Sequence, residues 1–159
     1  MIEGLKNIFT GLGDEYYFFV FLDAIFVWGI GIGLLFFIAS LIFKEKKSQN
    51  LALVILFLSS AAVYPYLENR EDARDGFKAN WQERTDKFDE QTERRLSTQW
   101  YYYGLAILAL GTLIFKNKIG IVLSIATIIA AILVFVLSLW LNLKESEVYH
   151  PSVTNALRK

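Results

Sequence analysis

Few side chains in this sequence stand where they could do chemistry, and Asp23 is the first of them. It is the only charged residue in the apolar run from Tyr16 to Phe43. An acid inside a membrane is energetically costly and marks a candidate functional residue. We consider a titrating role in transport, but favour a structural hydrogen bond or a place at the headgroup level. The other three apolar runs contain no lysine or arginine, so the expected partners are tyrosine hydroxyls, water or another subunit.

Two other features are less specific. Four acids recur at helical spacing after the second apolar run, but the interleaved basic residues favour a solvated charged helix over a hard-cation site. His150, a lone histidine near the C-terminus, could supply one ligand to a cofactor held by a partner, although a surface position is the simpler interpretation. Without cysteine and with one histidine, we expect no catalytic site, metal or cofactor belonging to this chain. The four acids are Asp86, Asp89, Glu90 and Glu93.

The distribution of charge along the chain predicts the helices that carry these residues. Sixteen basic residues balance sixteen acidic ones, which argues against a nucleic-acid partner. Four long segments are almost free of charge, and a helix needs roughly 20 apolar residues to cross a bilayer. We therefore predict an all-α integral membrane four-helix bundle made of two transmembrane hairpins. The predicted transmembrane helices are residues 16–43, 51–67, 99–115 and 119–143.

The polar segments complete the predicted layout. Residues 1–15 place apolar side chains at helical spacing and lack the features of a signal peptide, so we expect an interfacial amphipathic helix. Residues 68–98 contain good helix formers and no proline. We expect them to form a mostly helical extramembrane segment that continues into the third transmembrane helix. Residues 144–159 form a polar tail.

Lysine placement predicts the orientation. The two short turns, residues 44–50 and 116–118, are rich in lysine. By the positive-inside rule these turns lie in the cytoplasm. Both termini and residues 68–98 would then lie on the opposite, periplasmic side of a bacterial cytoplasmic membrane.

Aromatic residues are distributed unevenly between the two sides. All eight tyrosines belong to the side of the polar segment, whereas a headgroup belt usually occurs at both interfaces. We therefore consider two interpretations of these aromatic residues, a headgroup belt and a docking surface for another subunit. Gly29 and Gly33 form a Gly-x-x-x-Gly pair that permits close helix packing. The candidate interface residues are Gly29, Gly33, Tyr64, Tyr66, Phe77, Trp81, Phe88, Trp100, Tyr101, Tyr102 and Tyr103.

The layout resembles an uncharacterised bacterial family of small four-helix membrane proteins, a domain of unknown function. The resemblance rests on two hairpins, the polar segment between them and a tail that closes on a histidine. Residues 145–151 look like the family's closing stretch, in which a histidine is followed by Pro or Thr. The sequence departs from the pattern at 143–145, where the family has a glycine pair. The resemblance implies the fold and no particular activity.

Three functional hypotheses follow from this layout. The leading one is a non-catalytic accessory subunit of a larger membrane complex of respiratory or photosynthetic type, because no catalytic constellation is evident. Its partners would be other membrane subunits and the bilayer, and a lipid or pigment could bind at an interface. One alternative is a small proton-coupled transporter that uses Asp23. Another is an assembly factor or lipid-binding membrane protein.

Overall fold

The computed structural model describes residues 15–70, 74, 85–115 and 118–149. Among these residues 95% are helical and no strand occurs, so the predicted all-α class is confirmed. Phe77, Trp81, His150 and all but the last residue of the predicted surface helix lie outside the described residues. The four long helices are α1 (Glu15–Ile42), α2 (Lys46–Ala61), α3 (Thr85–Ile114) and α4 (Lys118–Tyr149).

The four helices form an up-down-up-down bundle. Each packs against two others: α1 and α3 both contact α2 and α4. Short connections after α1 and after α3 lie at one end, which we call the loop end. The opposite, open end holds the start of α1, the end of α4 and the polar start of α3. This places the described ends of α1 and α4 together with residues 85–98, as the predicted topology requires.

A proline near the end of α2 shapes the open end. Pro65 has no N–H to donate to Ala61, and its ring clashes with the carbonyl four residues earlier, so the regular helix ends there. The N–H of Tyr66 then donates to the carbonyl of Ala62 at 3.1 Å. A further helical stretch over residues 63–70 carries Arg70 beyond the predicted end of the second span.

Three helices in the described part of the chain are long and apolar enough to cross a membrane. They are Leu22–Ile42, Lys46–Arg70 and Lys118–Glu145. Many of their large apolar side chains point outward, as suits contact with lipid. The N-terminal part of α3 is polar, because residues 85–98 of the predicted extramembrane segment belong to this helix.

The predicted glycine pair brings α1 and α2 close together. A Cβ atom on Gly29 would lie 2.1 Å from Ser59 Oγ and 2.9 Å from its Cβ. A Cβ atom on Gly33 would lie 3.0 Å from Leu56 Cγ. Both glycines therefore pack within this chain, on the neighbouring helix of the first hairpin.

We expect Gly29→Ala to lower the unfolding temperature of the purified protein in detergent. The side chain of Ser59 must move to admit the methyl group, and such overpacking destabilises by about 1–3 kcal/mol. Gly104→Ala is the matched control, because a Cβ there meets nothing within 4 Å. The control should be neutral or stabilised by up to about 1 kcal/mol through helix propensity. Equal unfolding temperatures for the two variants would contradict the close packing.

Candidate functional site

Four charged side chains meet at the open end of the bundle, one from each of the four chain segments that build it. We call them the ion cluster: Asp23 of α1, Arg70 after α2, Arg95 of α3 and Glu145 of α4. The exposed fractions of these side chains are 27%, 0%, 1% and 7%. Three of the four charges are thus buried, and only Asp23 is partly open to the surroundings.

Glu145 is the centre of the cluster. Its Oε1 lies 2.6 Å from Nη1 of Arg70, and its Oε2 lies 2.6 Å from Nη2 of Arg95. Nε of Arg95 also donates to Oε1 at 3.1 Å, which makes this pair bidentate and strong. Asp23 adds the second negative charge, with Oδ1 3.2 Å from Nη2 of Arg95. Two acids and two arginines therefore compensate one another.

Neutral side chains accept hydrogen bonds from further donors of both arginines, which lowers the cost of burying these charges. Arg70 donates through Nη1 to the Tyr66 hydroxyl at 2.6 Å and through Nε to Thr92 Oγ1 at 2.7 Å. Arg95 donates through Nη2 to Asn142 Oδ1 at 2.5 Å. Nη1 of Arg95 is buried and has no hydrogen-bond partner among the described residues.

An aromatic layer, made of Phe26, Tyr66 and Tyr102, packs against the ion cluster. The guanidinium carbon of Arg95 lies 5.2 Å from the Phe26 ring centre and 5.1 Å from that of Tyr66. These are cation–π distances. The Phe26 ring meets the other two rings edge to face, at centroid separations of 4.8 Å and 5.5 Å. All three rings are buried.

The surroundings of Arg95 keep it charged. Burial by itself would lower the pKa of this guanidinium. The oxygen atoms of Tyr66, Glu145 and Asp23 oppose this effect and outweigh it, so the pKa lies above its ordinary value. Arg95 is therefore a permanent cation in this site.

The pairing of Asp23 differs from the expected one. We expected its partners to be tyrosine hydroxyls, water or another subunit, but Arg95 of the same chain, outside the predicted spans, reaches it. The helix that carries Arg95 begins at Thr85, well before the apolar run at 99–115. Arg95 therefore lies on the same continuous helix as the predicted span, about one turn before its start.

The predicted interface aromatics separate into two groups. Tyr66, Tyr102 and Phe88 are buried inside the chain. The hydroxyl of Tyr102 lies 2.7 Å from Ser138 Oγ, and the guanidinium of Arg70 covers the Phe88 ring at 4.6 Å. These three offer no free surface to a partner. Tyr103 is half-buried, and the exposed members are Tyr64, Trp100 and Tyr101, with exposed fractions of 60%, 70% and 62%.

Two of the four acids in the predicted stripe on α3 form ion pairs. Asp89 pairs with Arg74, and Glu90 pairs with Arg94 at 2.7 Å. Within the described ranges no group of three or more histidine or acidic side chains is arranged to hold a metal ion. The remaining face of this helix is not simply solvated, since it buries Phe88 and Arg95.

Sequence reasoning missed Arg70, Arg95 and Glu145 as a site, although the helical register contained a signal. On α3 a step of seven residues back from buried Tyr102 leads to Arg95. On α4 the same step forward from buried Ser138 leads to Glu145. Heptad spacing keeps residues on one face of packed helices, so both charges continue the inward face past the ends of the apolar runs.

The chain matches no family model, no curated protein and no solved structure. The resemblance to the bacterial four-helix family therefore stays a prediction.

We expect Glu145→Gln to destabilise the bundle strongly. The substitution leaves two buried guanidiniums with a single carboxylate, and breaking a buried pair in this way destabilises by about 3–5 kcal/mol. Glu90→Gln is the control, because Glu90 is 61% exposed and such surface pairs contribute about 0–1 kcal/mol. Denaturant unfolding of both variants in detergent measures the difference. Similar midpoints would show that the cluster does not support the fold.

Proposed function

We propose that this chain is a non-catalytic accessory subunit that spans the membrane four times and supports other membrane proteins. The observation that carries the proposal is the internal compensation of the ion cluster. Its two acids and two arginines are engaged with one another across the helices. Such an arrangement suits a rigid structural element, because these charges hold helices in register.

The proposed membrane setting extends the three candidate spans by a fourth. The apolar part of α3 carries exposed Ile107, Leu110 and Ile114, which would face lipid. Its polar N-terminal part would stand outside the membrane at the open end. In the proposed orientation the loop end is cytoplasmic and the open end periplasmic.

Single-cysteine labelling tests the topology, and the chain contains no native cysteine to interfere. Lys46→Cys at the loop end and Ser97→Cys at the open end are both at exposed positions. A membrane-impermeant maleimide should label them from opposite sides of sealed vesicles. Ile32→Cys, an exposed position within α1, is the control and should resist labelling. Modification of Lys46→Cys and Ser97→Cys from the same side would refute four spans.

The exposed aromatics are the surface proposed for docking. Tyr64, Trp100 and Tyr101 extend outward at the open end. The Trp100 ring meets the Tyr103 ring edge to face at 5.7 Å, which fixes it as part of a small aromatic surface. Exposed Trp and Tyr dominate interface hot spots, and they also suit the headgroup level, so the competing role is a membrane belt.

The double variant Trp100→Ala, Tyr101→Ala should release the protein from its complex during purification in mild detergent. Its unfolding temperature should change little, because both side chains are mostly exposed. Leu35→Ala, Phe36→Ala on α1 is the matched control, since it also removes two exposed apolar side chains. Retention of the same co-purifying proteins by all three forms would favour the belt over docking.

Proton-coupled transport is the second candidate, and one observation favours it. Asp23 is the most exposed member of the ion cluster, and its ion pair at 3.2 Å is the longest of those in the cluster. It could therefore exchange a proton more readily than Glu145.

We expect Asp23→Asn to leave folding and complex association nearly intact, because Glu145 still pairs with both arginines and the amide oxygen at this partly exposed position can accept a hydrogen bond from Arg95. Co-purification and unfolding temperature check this outcome. The decisive comparison is flux in proteoliposomes under a pH gradient. A flux present in the unsubstituted protein and abolished by Asp23→Asn would replace the accessory proposal with transport.

A further inference from the structure

The loop end contains a cleft that no part of the ion cluster reaches. Its volume is about 230 Å³, and all four helices contribute to its wall. Lys46 and Asn50 of α2 line it together with Leu41 and Phe37 of α1. Thr112 of α3, Phe115 just after α3 and Ser124 of α4 also line it.

Hydroxyl groups along the wall are already engaged, which leaves that part of the cleft apolar in character. Thr112 Oγ1 lies 2.9 Å from Thr127 Oγ1 and donates to the carbonyl of Leu108 at 2.8 Å. Ser124 Oγ donates to the carbonyl of Gly120 at 2.8 Å. The rings of Phe37 and Phe115 and neighbouring aliphatic side chains supply the rest of the surface.

Two donors in the cleft remain available. Lys46 and Asn50 lie one helical turn apart, and neither side chain forms a hydrogen bond or ion pair with the part of the chain that the structure describes. Their neighbour Gln49 differs, because its amide donates to the carbonyl of Ser40 at 3.3 Å. A cationic and an amide donor thus point to an anionic, hydrogen-bonding group as the occupant.

The surroundings add positive charge. Lys44, Lys47 and Lys118 are exposed at the same end of the bundle. Glu45 is the acid among them, and its carboxylate accepts from the backbone N–H of Lys47 at 3.3 Å. Basic clusters at the cytoplasmic ends of spans attract anionic lipids, and α1 ends and α2 and α4 begin at this level.

We propose that this cleft binds the headgroup of an anionic phospholipid. Lys46 would meet the phosphate, Asn50 would donate a hydrogen bond to its oxygens, and the acyl chains would lie along the exposed apolar faces outside. The volume fits a headgroup rather than a whole lipid, because sites for complete small ligands hold about 300–1,000 Å³. This inference rests on the proposed membrane setting and adds a ligand class and a site.

The test uses the purified full chain in vesicles of phosphatidylcholine with a minor fraction of phosphatidylglycerol, followed by native mass spectrometry of retained lipids. The unsubstituted protein should retain phosphatidylglycerol in preference to phosphatidylcholine. Lys46→Gln should reduce that preference about fivefold, the change expected for one cation near a membrane surface. Lys87→Gln, which removes an exposed charge from the other end, should leave the preference unchanged.

A second variant separates a cleft from diffuse surface charge. Ser124→Leu fills the cleft and keeps every lysine, so it should also reduce retention of phosphatidylglycerol. If neither Lys46→Gln nor Ser124→Leu changes the retention of phosphatidylglycerol, the proposed site is wrong. If only Lys46→Gln lowers retention, the lipid is attracted by surface charge and does not bind in the cleft. Displacement of the lipid by millimolar inorganic phosphate would overturn the lipid assignment in favour of a free anion.

The membrane setting is checked separately. Extraction of the unsubstituted protein from membranes by alkaline carbonate would refute the proposed function itself. Resistance to extraction with no lipid preference would refute the cleft proposal alone.

Discussion

The carboxylate of Glu145 compensates two buried guanidiniums at once, and the packing of the open end depends on it. Arg70 and Arg95 reach it from different helices, each at 2.6 Å. Buried ions are tolerated only when charge and hydrogen bonds are satisfied together. These ion pairs therefore fix the positions of α3, α4 and the helical stretch 63–70 relative to one another along the bundle. The ion pair between Asp23 and Arg95 constrains the position of α1 in the same way.

In the proposed membrane setting, these ion pairs would help to specify how the helices pair. Their outer and inner surfaces are equally apolar, so burial of apolar area does not specify how the helices pair. Close contact at Gly29 and Gly33 sets the approach of α1 and α2. The hydroxyl pairs of Tyr102 with Ser138 and of Thr112 with Thr127 set the register of α3 and α4. The ion cluster then joins the two hairpins.

Much of this fold could be predicted because charge-free runs and short turns are local features. The continuity of residues 85–98 with the third helix could also be predicted, from helix formers without proline. The candidate site could not be predicted in this way, because we took the end of each apolar run as the end of the buried surface of its helix. Arg95 and Glu145 lie outside those runs and are buried because side chains from other segments of the bundle pack against them. Asp23 was recognised as unusual, but its partner is distant in the chain.

The division of the four charges between the hairpins has a consequence for biosynthesis. The first hairpin contains Asp23 and Arg70, and the second contains Arg95 and Glu145, so each half holds one acid and one base. The pairs of Asp23 with Arg95 and of Arg70 with Glu145 both cross from one half to the other. Because the first half leaves the ribosome earlier, Asp23 and Arg70 cannot form these two pairs until the second half follows. Packing of the two hairpins against each other then forms both pairs together.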